Sequence, residues 1–181
     1  MPISGVIYGR IFLIAFPFSR ETSFIKCKIE YKYEGGEVKP FLVDISKIAE
    51  RKSPPPLSGR FVKIVLDAFE RELPLNISLL MFRYEGHQEG PCHKHEESAE
   101  IYFTIKGVGT VKFKDMKAEY EVKSMNVLYI PPNTMHQPCN YKDEDWIFIA
   151  IFAPPINLDE VRKWKIEGTN VFIANDEGIK I

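Results

Sequence analysis

Four side chains at fixed spacing constrain this chain more than any other feature. His93-Lys94-His95 is followed by four residues, then Glu100, then six residues to Gly107. A second segment reads Ile130-Pro131-Pro132-Asn133-Thr134-Met135-His136, with Asn140 four residues further on. Three of the chain's 4 histidines lie in these two segments. Three imidazoles and one carboxylate on strand-like sequence suit a divalent metal ion with coordination positions left open. The fold must therefore bring two distant strand regions face to face.

The spacing sets local requirements. His93 and His95 are two apart, so on a strand they share a face. Glu100 has the opposite parity to His95, and one unbroken strand would send it the other way. The polar run Glu96-Glu97-Ser98-Ala99 can bend and reset the parity. Gly107-Val108-Gly109 permits a tight turn after the apolar run from Ile101 to Ile105. His136 comes from a separate strand, and Pro131-Pro132 fixes its approach at little entropic cost.

The rest of the chain reads as short strands and turns. Val6 to Phe18 is largely apolar, too short to span a membrane and interrupted by Arg10, so a buried strand or two short strands are expected. No Lys or Arg precedes it, which disfavours a secretory signal. Ile25, Cys27, Ile29, Tyr31 and Tyr33 alternate with charged residues at period two. Glu34-Gly35-Gly36-Glu37 is a hairpin turn, and Val38 to Val43 is the expected return strand. Asp44 to Glu50 allows one helical turn. Further strands are expected at Phe61–Leu66, Asn76–Tyr84, Thr110–Lys114, Ala118–Val122, Asn126–Ile130 and Trp146–Phe152. A helix is expected from Asn157 to Trp164, with Asn157 as N-cap and Glu160 as its partner. Val171 to Ala174 reads as a last strand. Many strands with few helices give an all-β sandwich or barrel. The proline-rich loop Ser53–Gly59 separates an N-terminal β extension, residues 1–52, from the barrel and C-terminal helix, residues 53–181. Together they form one structural domain, the extension packing on the barrel or on a partner subunit.

The two metal-site segments resemble the two signature motifs of the cupin superfamily. The first motif is a glycine, HxH, three or four residues, Glu, six residues and a glycine, and His93 through Gly107 match it. Gly86 is one residue off the position of the leading glycine. In the second motif Pro131, His136 and Asn140 match, while Met125 and Asn133 stand where glycines are expected. The resemblance covers roughly 76–154. It implies a double-stranded β-helix, a jelly-roll barrel with the metal inside its mouth. It also implies that His93, His95, Glu100 and His136 hold one divalent ion, with Fe, Mn, Ni, Co and Zn all compatible. Tyr84, Tyr102 and Arg83 are candidates to line the pocket, although strand parity does not fix which of them face inward. Cys92 and Cys139 flank the motifs as further pocket candidates, read first as small apolar residues and second as soft ligands. His87 is expected on the surface.

Charge and composition exclude some functions. The net charge of −1 gives no electrostatic basis for binding nucleic acid or an anionic membrane. Three widely spaced cysteines argue against a disulfide framework and for a reducing cytoplasm. Two strands apolar on both faces, Asn76–Tyr84 and Trp146–Phe152, call for cover on their outer sides, and a homodimer is the expectation. Proteins that this chain resembles include dioxygenases, decarboxylases, sugar-phosphate isomerases and non-catalytic binders. The expected activity is that of a dioxygenase-like metal enzyme acting on a small organic molecule, its apolar surroundings drawn from Ile101, Phe103, Leu128 and Phe148. The alternatives are a non-catalytic ligand-binding cupin and a cupin-type sugar-phosphate isomerase. The archaeal cupin-type phosphoglucose isomerase is similar in Ala99-Glu100-Ile101-Tyr102 and Tyr129-Ile130-Pro131-Pro132. It has a longer HxH-to-Glu spacing, and no phosphate-binding cluster of Thr, Lys and His is visible in this sequence.

Overall fold

The computed structural model describes residues 9–10, 30–31, 40–69 and 75–167. The chain divides into two compact units, Met1–Lys39 and Pro40–Ile181. In the first, β1 (Gly9–Arg10) pairs antiparallel with β2 (Glu30–Tyr31). Both fall inside stretches that the sequence marks as strands; the remainder of those stretches and Val171–Ala174 lie outside the described residues. Residues 40–43 are irregular rather than a return strand.

The second unit is almost entirely β. A 3-10 turn at Ile45–Lys47 is capped by Asp44, whose carboxylate accepts from the Ser46 amide. Then follow β3 (Glu50–Lys52), β4 (Arg60–Leu66), β5 (Ser78–Tyr84), β6 (Gln88–Glu89) and β7 (Ala99–Lys106). The series continues with β8 (Val108–Phe113), β9 (Ala118–Lys123), β10 (Val127–Ile130), β11 (Gln137–Asn140), β12 (Trp146–Ala153), α1 (Asp159–Arg162) and β13 (Lys165–Glu167). One sheet has the order β10-β7-β12-β5-β4-β3-β13, the other β6-β11-β8-β9, and every pairing within them is antiparallel. The two sheets are those of a double-stranded β-helix. Glu50–Lys52, which the sequence puts with the extension, pairs with β4 in the larger sheet.

Period-two burial decides what faces inward. On β12, Trp146, Phe148, Ala150 and Phe152 are buried, while Ile147, Ile149 and Ile151 lie half-buried on the other face. On β7, Glu100, Tyr102 and Thr104 point in, and Ile101 and Phe103 point out. Those two therefore do not line the interior as expected; Ala99, Ile101, Phe103 and Ile105 alternate with Glu100, Tyr102, Thr104 and Lys106, and it is the set carrying the polar residues that turns inward. Val62, Leu80, Tyr84, Val111, Phe113 and Ile130 join the β12 rings in the core, with Leu128 packed against it. Trp146 is fully buried in that core. Its indole donates to Thr104 Oγ1 at 3.1 Å, and a Cβ at Gly109 would lie 2.3 Å from the indole ring. Only glycine allows that approach. Gly107 takes φ +78° at the turn between β7 and β8.

Two motif departures leave a mark on the backbone. Met125 and Asn133 occupy the left-handed region at φ 68° and 59°. The turns keep the shape that glycine would give them, and two L-residues carry the strain. Asn140 holds the end of β5 to the following loop, its Nδ2 donating to the carbonyls of Tyr84, Glu85 and Glu144 at 2.8–3.1 Å. The helix α1 is one turn long, shorter than expected. Asn157 Oδ1 does accept from the Asp159 amide, but Leu158 is the N-cap and Glu160 pairs with Lys163. Leu158 is buried in the core at this point, and the chain turns at once into β13.

Candidate metal centre

His93, His95, Glu100 and His136 come together in the second unit. One nitrogen or oxygen from each lies within 4.8 Å of all the others. A bend at Glu96–Glu97 separates His95 from β7 and resets the parity, so Glu100 enters β7 pointing inward. His93 and His136 form an isolated antiparallel bridge, with amide-to-carbonyl distances of 2.8 and 2.9 Å. Asn133 N also donates to His95 O at 2.6 Å, so the left-handed turn before His136 is pinned to the HxH segment.

The side chains are oriented by the backbone. His93 Nδ1 lies 2.9 Å from Pro91 O, and His136 Nδ1 lies 2.9 Å from Thr134 O. A carbonyl only accepts, so each Nδ1 carries the proton and each Nε2 keeps its lone pair. Sequence reasoning did not single out these carbonyls, nor Phe152, whose ring stands 5.0 Å from that of His95. A carbonyl partner leaves no side-chain signature, and Phe152 belongs to a strand apolar on both faces.

The donor set fits an ion. Glu100 Oε2 lies 2.9 Å from His136 Nε2 and 3.5 Å from His95 Nε2. Yet all three atoms are buried without a hydrogen-bond partner. Adjacent ligands of an ion at about 2.1 Å would stand about 3 Å apart, which matches. Burial, reinforced by the His136 charge, holds His93 below the ordinary histidine value. Burial also lowers His95, against the pull of Glu100. His136 is buried too, but Glu100 outweighs the burial and raises it. Two of the three imidazoles are thus kept neutral, as a metal requires.

The remaining candidates separate cleanly. Tyr84 and Tyr102 point into the barrel, each 2% exposed. Tyr102 has its ring 6.3 Å from that of His136, and burial first and the Glu100 charge second push its phenol well up. Arg83 points outward, where it pairs with Glu50, Glu85 and Asp145 and lies over Phe61. Neither Cys92 nor Cys139 belongs to the converging donor set. Burial raises the Cys139 thiol, which disfavours the thiolate a metal needs. His87 is exposed beside Asp143, as expected.

The chain matches 93 residues of the glucose-6-phosphate isomerase of Thermococcus kodakarensis at 36% identity, covering 50% of this chain and 49% of that one. It matches 68 residues of an uncharacterised protein of Methanocaldococcus jannaschii at 32% identity, 38% of this chain and 53% of the other. The chain thus spans between 39% and 53% of the length of the curated relatives it matches. Among solved structures, a predicted oxalate decarboxylase from Thermotoga maritima superposes with TM-score 0.56 at 18% identity, over 63% of this chain and 99% of that one. A cupin sugar phosphate isomerase from Silicibacter pomeroyi gives 0.52 at 17%, over 62% and 74%. Among the described residues no helix is long and apolar enough to cross a membrane. Residues 80–152 match the cupin domain family, and the double-stranded β-helix around them has the fold of these cupin barrels.

Proposed function

We propose that this protein is a metal-dependent isomerase acting on a small phosphorylated sugar. The observation that carries the reading is the similarity to glucose-6-phosphate isomerase at 36% identity over a stretch half the length of this chain. The four-residue donor set supports it, because aldose–ketose interconversion gains from an ion that polarises a carbonyl. His93, His95, Glu100 and His136 would hold that ion, which would supply Lewis-acid polarisation. Phe152 and the inward faces of β7 and β12 keep bulk water from the site and strengthen its electrostatics. Burial holds the Tyr102 phenol well above its ordinary value, which disfavours a role as base. The dioxygenase reading rests on open coordination positions alone.

The test is interconversion of glucose 6-phosphate and fructose 6-phosphate by metal-loaded protein under anaerobic conditions. Turnover that tolerates several divalent ions and disappears in His136→Ala is expected. Consumption of O₂ with a substrate, supported by Fe²⁺ and not by Zn²⁺, would restore the dioxygenase. Metal retention without reaction on any sugar phosphate would leave a binding protein.

We also propose that the protein is a cytoplasmic homodimer. Exposed Val127 at 65%, Tyr129 at 58% and Ile105 at 42% near the β10 edge support the dimer. Light scattering giving a single 20.9 kDa chain would refute it.

A further inference from the structure

Arg60 is the most buried arginine among the described residues, and it faces no acid. It opens β4 and shares the inward face with Val62, a core residue, and Ile64, which packs against the core. Its residue is 6% exposed. Nη2 donates to Ser53 Oγ at 2.8 Å, and Nη1 donates weakly to the Tyr84 hydroxyl at 3.4 Å. The guanidinium carbon lies 5.6 Å from the Tyr84 ring centre and 5.7 Å from that of Trp164. Nε is buried with no partner. Among the described residues no carboxylate pairs with it. Arg83 on the neighbouring β5 contrasts with it: more exposed, it has three acidic neighbours.

Burying a cation without a counter-charge costs several kcal/mol in general. Two hydroxyls and two ring faces offset part of that and leave one N–H unmet. A bound anion would supply the missing counter-charge and meet the free N–H. A guanidinium edge is shaped for the two oxygens of a phosphate or carboxylate. The position also ties it to the metal centre. Tyr84, which accepts from Arg60, has its ring 5.6 Å from that of Phe148; the Phe148 ring lies 4.7 Å from that of Tyr102, and the Tyr102 ring 6.3 Å from that of His136. One continuous row of packed rings therefore leads from the guanidinium to the donor set.

We propose that Arg60 is the anchor for the oxyanion group of the substrate, a phosphate or a carboxylate, inside the barrel. This deepens the proposed function and rests on it for what the rest of the substrate does at the metal. Specificity then divides between two places: Arg60 selects an organic anion, and the donor set engages its oxygens. The sequence pattern holds one signal for it, a lone charge in phase with Val62 and Ile64.

The experiment titrates metal-stripped protein with inorganic phosphate and, separately, with malonate. Calorimetry and the fluorescence of the 2 tryptophans report binding, Trp164 lying against the guanidinium. The wild type should bind at least one anion with a dissociation constant of about 1 mM or tighter, and Arg60→Met should weaken it about tenfold or more. Phosphate alone would identify a phosphate ester as the substrate class, and malonate alone a carboxylate. Wild-type protein that binds neither anion at about 10 mM overturns the proposal, as does Arg60→Met protein that binds as the wild type does. If Arg60→Met does not fold, Arg60→Lys decides: a loss of about fivefold or more is expected because an ammonium makes no two-pronged contact, and unchanged affinity overturns the proposal. Metal content is measured in parallel on each protein. Anion binding lost at full metal content marks Arg60 itself. Wild-type protein that takes up no metal defeats the isomerase reading and leaves the anion result to be judged by the variants.

Discussion

Replacing Glu100 with Gln tests the metal centre most sharply. The carboxylate is 3% exposed, and its Oε2 makes no hydrogen bond while standing 2.9 Å from His136 Nε2. In metal-free protein the substitution thus deletes no aligned hydrogen bond. A glutamine amide can donate to the neutral Nε2 instead, so the stripped variant should match the stripped wild type within about 1 kcal/mol. With metal the balance reverses. At a free metal concentration of about 100 times the dissociation constant, binding stabilises the fold by about 2.7 kcal/mol. For a chain of this size that raises Tm by about 5–10 °C. Loss of one charged ligand should cost about 100-fold in affinity, the upper end for changes that merely touch a ligand. At the same metal concentration the variant then gains only about 0.4 kcal/mol, or about 1 °C. Differential scanning calorimetry of both proteins, stripped and loaded, reads all four values. The reasoning fails if the variant keeps the full metal-induced shift, or if its stripped form alone loses about 3 kcal/mol or more.

Metal retention should depend on pH through His136 first. Its value is raised, so it is the first of the three imidazoles to take a proton as pH falls, while His93 and His95 stay neutral to lower pH. In metal-free protein the sign is opposite: protonation of His136 favours folding, fully below the ordinary histidine value and lost as pH rises through the raised one. Metal occupancy should therefore begin to fall above pH 6.5, the ordinary value, and unchanged occupancy down to about pH 5 would exclude histidine ligation. Met125→Gly should stabilise by about 0.5–1 kcal/mol, because the side chain is 76% exposed at φ 68° and the strain relieved exceeds the added unfolded-state entropy; a lower denaturant midpoint would contradict this. Gly109→Ala should destabilise by about 3 kcal/mol, since its Cβ would meet the fully buried Trp146 ring at 2.3 Å. Wild-type stability in that variant would mean that the indole moves freely.

What the sequence determined by itself was the chemistry and the local shape. The HxH pair, Glu100 and His136 name the donor types, and Pro131-Pro132 and Gly107 mark where the chain must turn. Alternation along β8 and β9 was legible because one face of each is wet. Tertiary structure decided every question of side. β12 is apolar on both faces, so its pattern alone does not choose a side, and on β7 the pattern misleads, because the more apolar set, Ile101, Phe103 and Ile105, is the outer one. Only the pairing Glu100↔Phe152 and Glu100↔Ile130 turned Glu100 and Tyr102 inward and Ile101 and Phe103 outward. The same pairing sent Tyr84 in and Arg83 out, adjacent residues that no composition could separate. Arg60 became a buried cation because Tyr84, Ser53 and Trp164, far apart in sequence, close around it. Met125 and Asn133 took glycine's backbone because the strands they join leave no other path. Period-two pattern reports which residues can share a face, and long-range pairing alone chooses which face is the interior.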